Sequence, residues 1–315
     1  MERTWDKGSD DHLPTSRFNL DTSNGEGFST GRTVSRVLMR GFLQLARPLN
    51  CVMSAVGVAI AGILASRVEA VVGVAYPLGL ACVSAAIFTA GGNALNDFYD
   101  RETDKVNHPE RPLAAGTLTV AQVRGFSIGA FVASALLSVF VNWYTVAVVL
   151  VNIVLMVAYE ATLKARGAPG NLVIAYLVAS LFLFGGVSVF RSSTTPLVRA
   201  GILAALAFFA TLGREITKDI EDMTGDVDRR TLPHRIGAPR AGVIAAGALA
   251  FGVVLSLLPL VFGVLSFGYA ILAIPADGMF IYAALHSAAN PSRSQRVTKY
   301  AMIVALAAFL AGAFS

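Results

Sequence analysis

From residue 48 onward the chain alternates long apolar runs with short polar intervals. The runs have approximate limits 48–66, 71–96, 119–141, 143–163, 171–190, 196–218, 240–262, 265–286 and 297–314. Each is close to or above the roughly 18 residues that carry a helix across a bilayer. None shows the alternating polarity over about ten residues that marks a barrel strand. The pattern therefore predicts an all-α membrane protein with nine transmembrane helices. The third and fourth runs meet in a very short link near Asn142. The stretch "NHPERPLAAG", with two prolines and a glycine after the second run, does not continue a helix.

The first residues break this pattern. The segment 1–40 begins polar, rich in Ser, Thr, Asp and Gly, and lacks the apolar core of a signal peptide. It is expected to be a disordered or loosely attached tail, with residues 41–315 forming one transmembrane domain. Composition strengthens the membrane reading. The 315 residues are 55% hydrophobic and only 14% charged, with mean hydropathy +0.64, whereas a soluble domain carries about 25% charged residues. That excludes a water-soluble fold. Cys51 and Cys82 both sit inside apolar runs and show neither metal-ligand spacing nor a disulfide framework.

Charge sets the expected orientation. With the N-terminus placed inside and nine crossings, every Lys and Arg but three falls on the inner side. The exceptions are Arg67, Arg191 and Arg199, out of 25. By the positive-inside rule the N-terminus and the long polar loops are cytoplasmic and the C-terminus lies outside.

Against this background two acidic segments stand out. "NDFYDRETD" holds Asn96, Asp97, Asp100 and Asp104, and "KDIEDMTGD" holds Asp219, Asp222 and Asp226. The Asp spacings are 3 then 4 in both. The separations 97 to 219, 100 to 222 and 104 to 226 are each 122 residues. Each segment closes an even-numbered span, the second and the sixth. A four-helix unit used twice, followed by a ninth helix, produces this register, and parallel repeats with a site between halves occur in membrane folds. Spacings of 3, 4 and 7 put the carboxylates on one helix face, where they repel each other. Clustered hard oxygen ligands suit Mg2+, which joins one or two carboxylates to substrate phosphates. An isolated Asp-x-x-Asp is most often a solvated loop; two copies in register on one membrane side are not explained that way.

Basic residues accompany the acidic segments. Arg47 and Lys164 lie at the inner ends of the first and fourth spans, Arg111 follows the first acidic segment, and Lys218 precedes Asp219. Each is a candidate to grip phosphate oxygens, or else an interfacial anchor. Tyr159, ahead of Lys164, is a candidate to face a carbocation or to sit at the membrane interface. Asp277 lies mid-span between Pro275 and Gly278, either as a functional intramembrane carboxylate or as the cap of a broken helix.

These motifs resemble those of the UbiA superfamily of intramembrane prenyltransferases. "NDFYDRETD" with "NHPERPLAAG" is similar to its first signature, "KDIEDMTGD" to its second Asp-rich signature, and "LARPLN" to the entry of its first helix. The likeness runs from about residue 45 to about 290. It implies nine helices around a central cavity, with a prenyl diphosphate donor bound through Mg2+. By the same resemblance Asn96, Asp100, Asp104, Asp219, Asp222 and Asp226 hold the metal, with Asp97 beside them in the catalytic set. "RPLNCVMSAVGV", "GAPGNLVIAYLVASLFLFGG" and "REITKDIEDMTGD" are most similar to the branch that makes archaeal-type ether lipids. That implies a geranylgeranyl diphosphate donor and a glycerol phosphate lipid, geranylgeranylglyceryl phosphate, as acceptor, among membrane lipids and with no nucleic-acid partner. An aromatic acceptor of a quinone or chlorophyll-type pathway, and more distantly a cation-coupled transporter, stay open at this point.

Overall fold

Several helix starts in this chain are set by proline or by capping side chains. The computed structural model describes residues 27–66, 71–191, 194–224 and 231–314; Asp226, Arg67 and the first 26 residues of the expected tail lie outside them. Among the described residues every regular element is helical. The first helix, α1 (Gly27–Ala46), takes in the later part of the segment read as a tail. Its Leu38, Phe42 and Leu45 fall on one face by their 4 and 3 spacing and pack on Ala94, Leu118, Val123 and Phe126. A single residue, Arg47, separates it from α2 (Pro48–Ser66), whose first residue is proline, preset for a helical start.

The next helices are α3 (Val71–Tyr99), the short α4 (Arg101–Asn107), α5 (Val120–Val139) and α6 (Trp143–Ala158). The link near Asn142 is the short turn expected. Asn142 caps α6 by a reciprocal capping box with Thr145, and Thr119 does the same for α5 with Gln122. α6 ends in a π-helical turn, Tyr159–Leu163, and a 3₁₀ turn, Lys164–Arg166. There follow α7 (Ala168–Ser188), α8 (Thr195–Glu221), α9 (Leu232–Ile236), α10 (Ala238–Leu255), α11 (Leu258–Val261), α12 (Phe267–His286) and α13 (Pro291–Phe314).

Eight of the described helical segments are long and apolar enough to cross a membrane. The expected ninth span, 297–314, is helical within α13 but is not one of those eight. Large apolar side chains such as Val154, Val243 and Ile274 are exposed on the outside of the bundle, which suits a surface solvated by lipid. α12 runs through Pro275 as one helix, so Asp277 does not cap a break. Its carboxylate accepts instead from Ser256 Oγ at the end of α10, at 2.6 Å.

The packing repeats. α2 packs on α3, α3 on α5 and α5 on α6; in the same order α7 packs on α8, α8 on α10 and α10 on α12. The halves meet where α2 lies against α7 and α8, and α13 closes on α12, α8 and α2. Close approach depends on glycine at α2–α7. A Cβ on Gly185 would run into the Val58 carbonyl and the Ala61 side chain, so the two backbones touch there as small residues permit in membrane bundles.

Candidate active site

The site is built where α3 ends. Asp97 lies in the last turns of α3, its side chain only 2% exposed, and it is held from two directions. Arg47 Nη2, from the junction of α1 and α2, donates at 2.5 Å, and Arg111 Nη1 at 3.5 Å. Arg47 reaches Asp97 from a left-handed backbone, φ 51°, the only non-glycine residue with positive φ among those described. Arg111 also pairs with Asp104 at 2.6 Å, which bends the segment after α4 back over the end of α3. Asp104 is buried while its α4 neighbours Glu102 and Lys105 are exposed. The Lys105 hydrogen bond holds the Glu102 carboxyl below its ordinary range, away from the buried network.

A second set of contacts crosses to the end of α6. Lys164 Nζ donates to Asp100 Oδ2 at 2.6 Å and to Glu160 Oε2 at 3.1 Å. Asn96 Nδ2 donates to the same two carboxylates, at 3.0 Å to Asp100 and 3.2 Å to Glu160. Four side chains thus close a ring between α3 and the π-helical turn. Tyr159 opens that turn and is half-buried.

The second acidic segment lies at the end of α8. Asp219 Oδ2 accepts from Asn171 Nδ2 at 2.9 Å, and Asn171 stands in the first turn of α7. Asp222 is exposed at the C-cap of α8, and Lys218 is exposed in its last turn. The short connection from Lys164 to Asn171 therefore touches both acidic segments, Asp100 at one end and Asp219 at the other.

The structure brings Arg47, Asn96, Asp97, Asp100, Asp104, Arg111 and Lys164 into one network and sets Asp219 beside the same connection. Two residues were passed over in the sequence. Glu160 is one, hidden as a single carboxylate in an apolar run. The other is Arg214, paired with Glu215 at 2.7 Å, whose Nε is buried with no hydrogen bond among the described residues. The 1,4 spacing of Glu160 and Lys164 was the available signal for the first; the π-helical turn that aims it at Asn96 leaves no sequence mark.

Among the described residues no three His, Cys, Asp or Glu side chains are placed to hold a metal ion together. The donor set nonetheless fits Mg2+, which takes one or two carboxylates and completes its octahedron with water and phosphate oxygens. Asp100 and Asp222 are hard oxygen donors at the helix exits, and Asn96 and Asp219 lie one turn inward.

The structure is an all-helical membrane bundle with paired acidic segments at one end, and the sequence places it among intramembrane prenyltransferases. The chain matches the UbiA prenyltransferase family over residues 32–311 and belongs to that family. Its relatives include digeranylgeranylglyceryl phosphate synthase of Methanopyrus kandleri, 39% identical over 87% of this chain and 99% of that protein. The synthase of the same name from Natronomonas pharaonis is 34% identical over 87% of this chain and 97% of its own. Among solved structures, one from a study of digeranylgeranylglyceryl phosphate synthase in membranes has TM-score 0.75 and 31% identity, covering 88% of this chain and 98% of that one. A UbiA homolog from Archaeoglobus fulgidus bound to GPP and Mg2+ shares the fold at TM-score 0.58 and 18% identity, over 86% of this chain and 98% of its own.

Proposed function

We propose that this chain transfers a geranylgeranyl group from geranylgeranyl diphosphate to the free hydroxyl of geranylgeranylglyceryl phosphate, forming the second ether bond of archaeal-type membrane lipids. The near full-length similarity to synthases of that name supports the substrate pair. The single observation that carries the chemistry is the α6–α7 connection, which contacts Asp100 through Lys164 and Asp219 through Asn171.

In this reading Asn96, Asp100, Asp104, Asp219, Asp222 and Asp226 would hold Mg2+, with Asp97 beside them. The metal supplies positive charge for the diphosphate as it leaves. Arg47, Arg111, Lys164 and Lys218 add cations for the same oxygens. The allylic C–O bond of the donor breaks, diphosphate departs, and the acceptor hydroxyl oxygen bonds to the freed carbon while its proton passes to a carboxylate. Tyr159 presents its ring to the carbocation, a contact worth about 0.5–2 kcal/mol. The N-terminus and the acidic end face the cytoplasm and the C-terminus lies outside, which the Lys and Arg distribution supports.

Purified protein given geranylgeranyl diphosphate and Mg2+ is expected to convert geranylgeranylglyceryl phosphate to the diether, read by mass spectrometry, and to stop on addition of EDTA. Alkylation of an aromatic acid or quinone precursor alone would overturn the lipid assignment.

A further inference from the structure

We infer that Glu160 is a positioning residue for the donor's diphosphate, acting through Lys164 and Asn96; the inference rests on the function proposed above. Lys164 Nζ bridges two carboxylates, Asp100 at 2.6 Å and Glu160 at 3.1 Å, and the Asn96 amide bridges the same two. The two carboxylates differ in place. Asp100 ends α3 at the first acidic segment, with its side chain 19% exposed. Glu160 comes from the π-helical turn after α6, with its side chain 2% exposed. π-Helical turns are concentrated at functional sites because the extra residue re-aims a side chain. Here the turn puts Glu160 one residue after Tyr159 and four before Lys164, toward Asn96 of another helix.

The arrangement has a consequence when Asp100 turns to a metal. Lys164 then gives up its shorter contact. With Glu160 in place the ammonium keeps an anchor at the same end of the bundle and stays where phosphate oxygens arrive. Without that anchor Lys164 has, among the described residues, Asp100 alone, and its pairing there competes with the metal. Asn96 is held in the same way, since its amide keeps Glu160 as acceptor while Asp100 is engaged. Glu160 thus sets where the cation goes during donor loading, and a neutral residue of the same size does not.

The test is calorimetric titration of the full-length protein in detergent with the unreactive analogue geranylgeranyl thiolodiphosphate, with and without Mg2+. Wild type is expected to bind only with Mg2+. Glu160→Gln is expected to weaken that binding about tenfold, the size of one lost charge-assisted hydrogen bond. It is expected to add nothing in a Lys164→Met background, and to raise KM for the donor without moving KM for the acceptor. Equal or tighter binding by Glu160→Gln, or the same loss in both backgrounds, overturns the inference and leaves the proposed function standing. Absence of Mg2+-dependent binding by wild type overturns the proposed function itself. If Glu160→Gln does not fold, Glu160→Asp reads the same point: it keeps the charge but draws it back from Lys164, and binding equal to wild type again overturns the inference.

Discussion

Asp100 and Asp222 leave their helices with the same backbone conformation, φ −84° and ψ 5° for the first and φ −80° and ψ −6° for the second. Each is followed at once by a further short helical turn, α4 after Asp100 and a 3₁₀ turn from Asp222. The 122-residue register of the two acidic segments is therefore a repeat of local geometry as well as of letters. One turn earlier, Asp97 accepts from two arginines, Arg47 and Arg111, and its counterpart Asp219 accepts from the amide of Asn171.

Two equivalent helix exits should be equally indispensable. Asp100→Asn and Asp222→Asn are each expected to lower prenyl transfer on the order of 10²-fold or more, as for loss of a group that stabilises leaving-group charge. Expression and the elution profile in detergent should be unchanged. The check is transfer of labelled geranylgeranyl from its diphosphate. Near wild-type turnover in both variants removes the metal reading.

Much of this was legible in the sequence because a bilayer demands long apolar runs, and their ends are cut by charge. The span 48–66 coincides with α2, and the very short link expected near Asn142 is present as a turn that Asn142 caps. The two acidic segments marked the candidate site by repetition. Helix α1 was less legible, since Leu38, Phe42 and Leu45 are spread among arginines and polar residues and gain meaning only from the α3–α5 surface they cover. Glu160 was missed for a related reason. Its partners Asn96 and Lys164 are joined to it by tertiary packing and by a π-helical turn, neither of which has a composition. Asp277 had two readings from its Pro275 and Gly278 neighbours. The structure instead pairs it with Ser256 of α10, a contact across helices that spacing does not encode.

Arg47 combines a guanidinium proposed to meet the donor's diphosphate with an unfavourable backbone. Its φ of 51° costs an L-residue about 1–2 kcal/mol that glycine does not incur. Arg47→Ala and Arg47→Gly both strip Asp97 of its shorter ion pair and should weaken donor binding alike. Arg47→Gly should nevertheless be the more stable of the two by about 1 kcal/mol, read from unfolding in detergent. If Arg47→Ala is as stable as Arg47→Gly, the strain at this junction is not real.

The α2–α7 contact makes a separate prediction about packing. Gly185→Ala forces a methyl into the Val58 carbonyl and Ala61, and overpacking of this kind costs about 1–3 kcal/mol. Gly129→Ala on α5 meets nothing within 4 Å and should be neutral or slightly stabilising. A lower apparent Tm for the first and an unchanged one for the second is the expected pair. Equal values would mean that the two backbones do not touch at Gly185.

Tyr159 is the one aromatic residue proposed to meet the carbocation, and its two groups can be separated. If the ring face does the work, Tyr159→Phe keeps most of the transfer rate and Tyr159→Leu loses it by roughly 2- to 30-fold, the span of a cation–π contact worth about 0.5–2 kcal/mol. The loss should fall on kcat, because the charge exists only as the C–O bond breaks, while binding of the unreactive thiolodiphosphate stays at the wild-type level. If the residue serves instead as an interfacial anchor through its hydroxyl, Tyr159→Phe and Tyr159→Leu should lower stability together and leave kcat per folded molecule alone. Measuring kcat, analogue affinity and Tm on both variants distinguishes the two roles. A Phe variant as impaired in kcat as the Leu variant would exclude the ring as the group that acts.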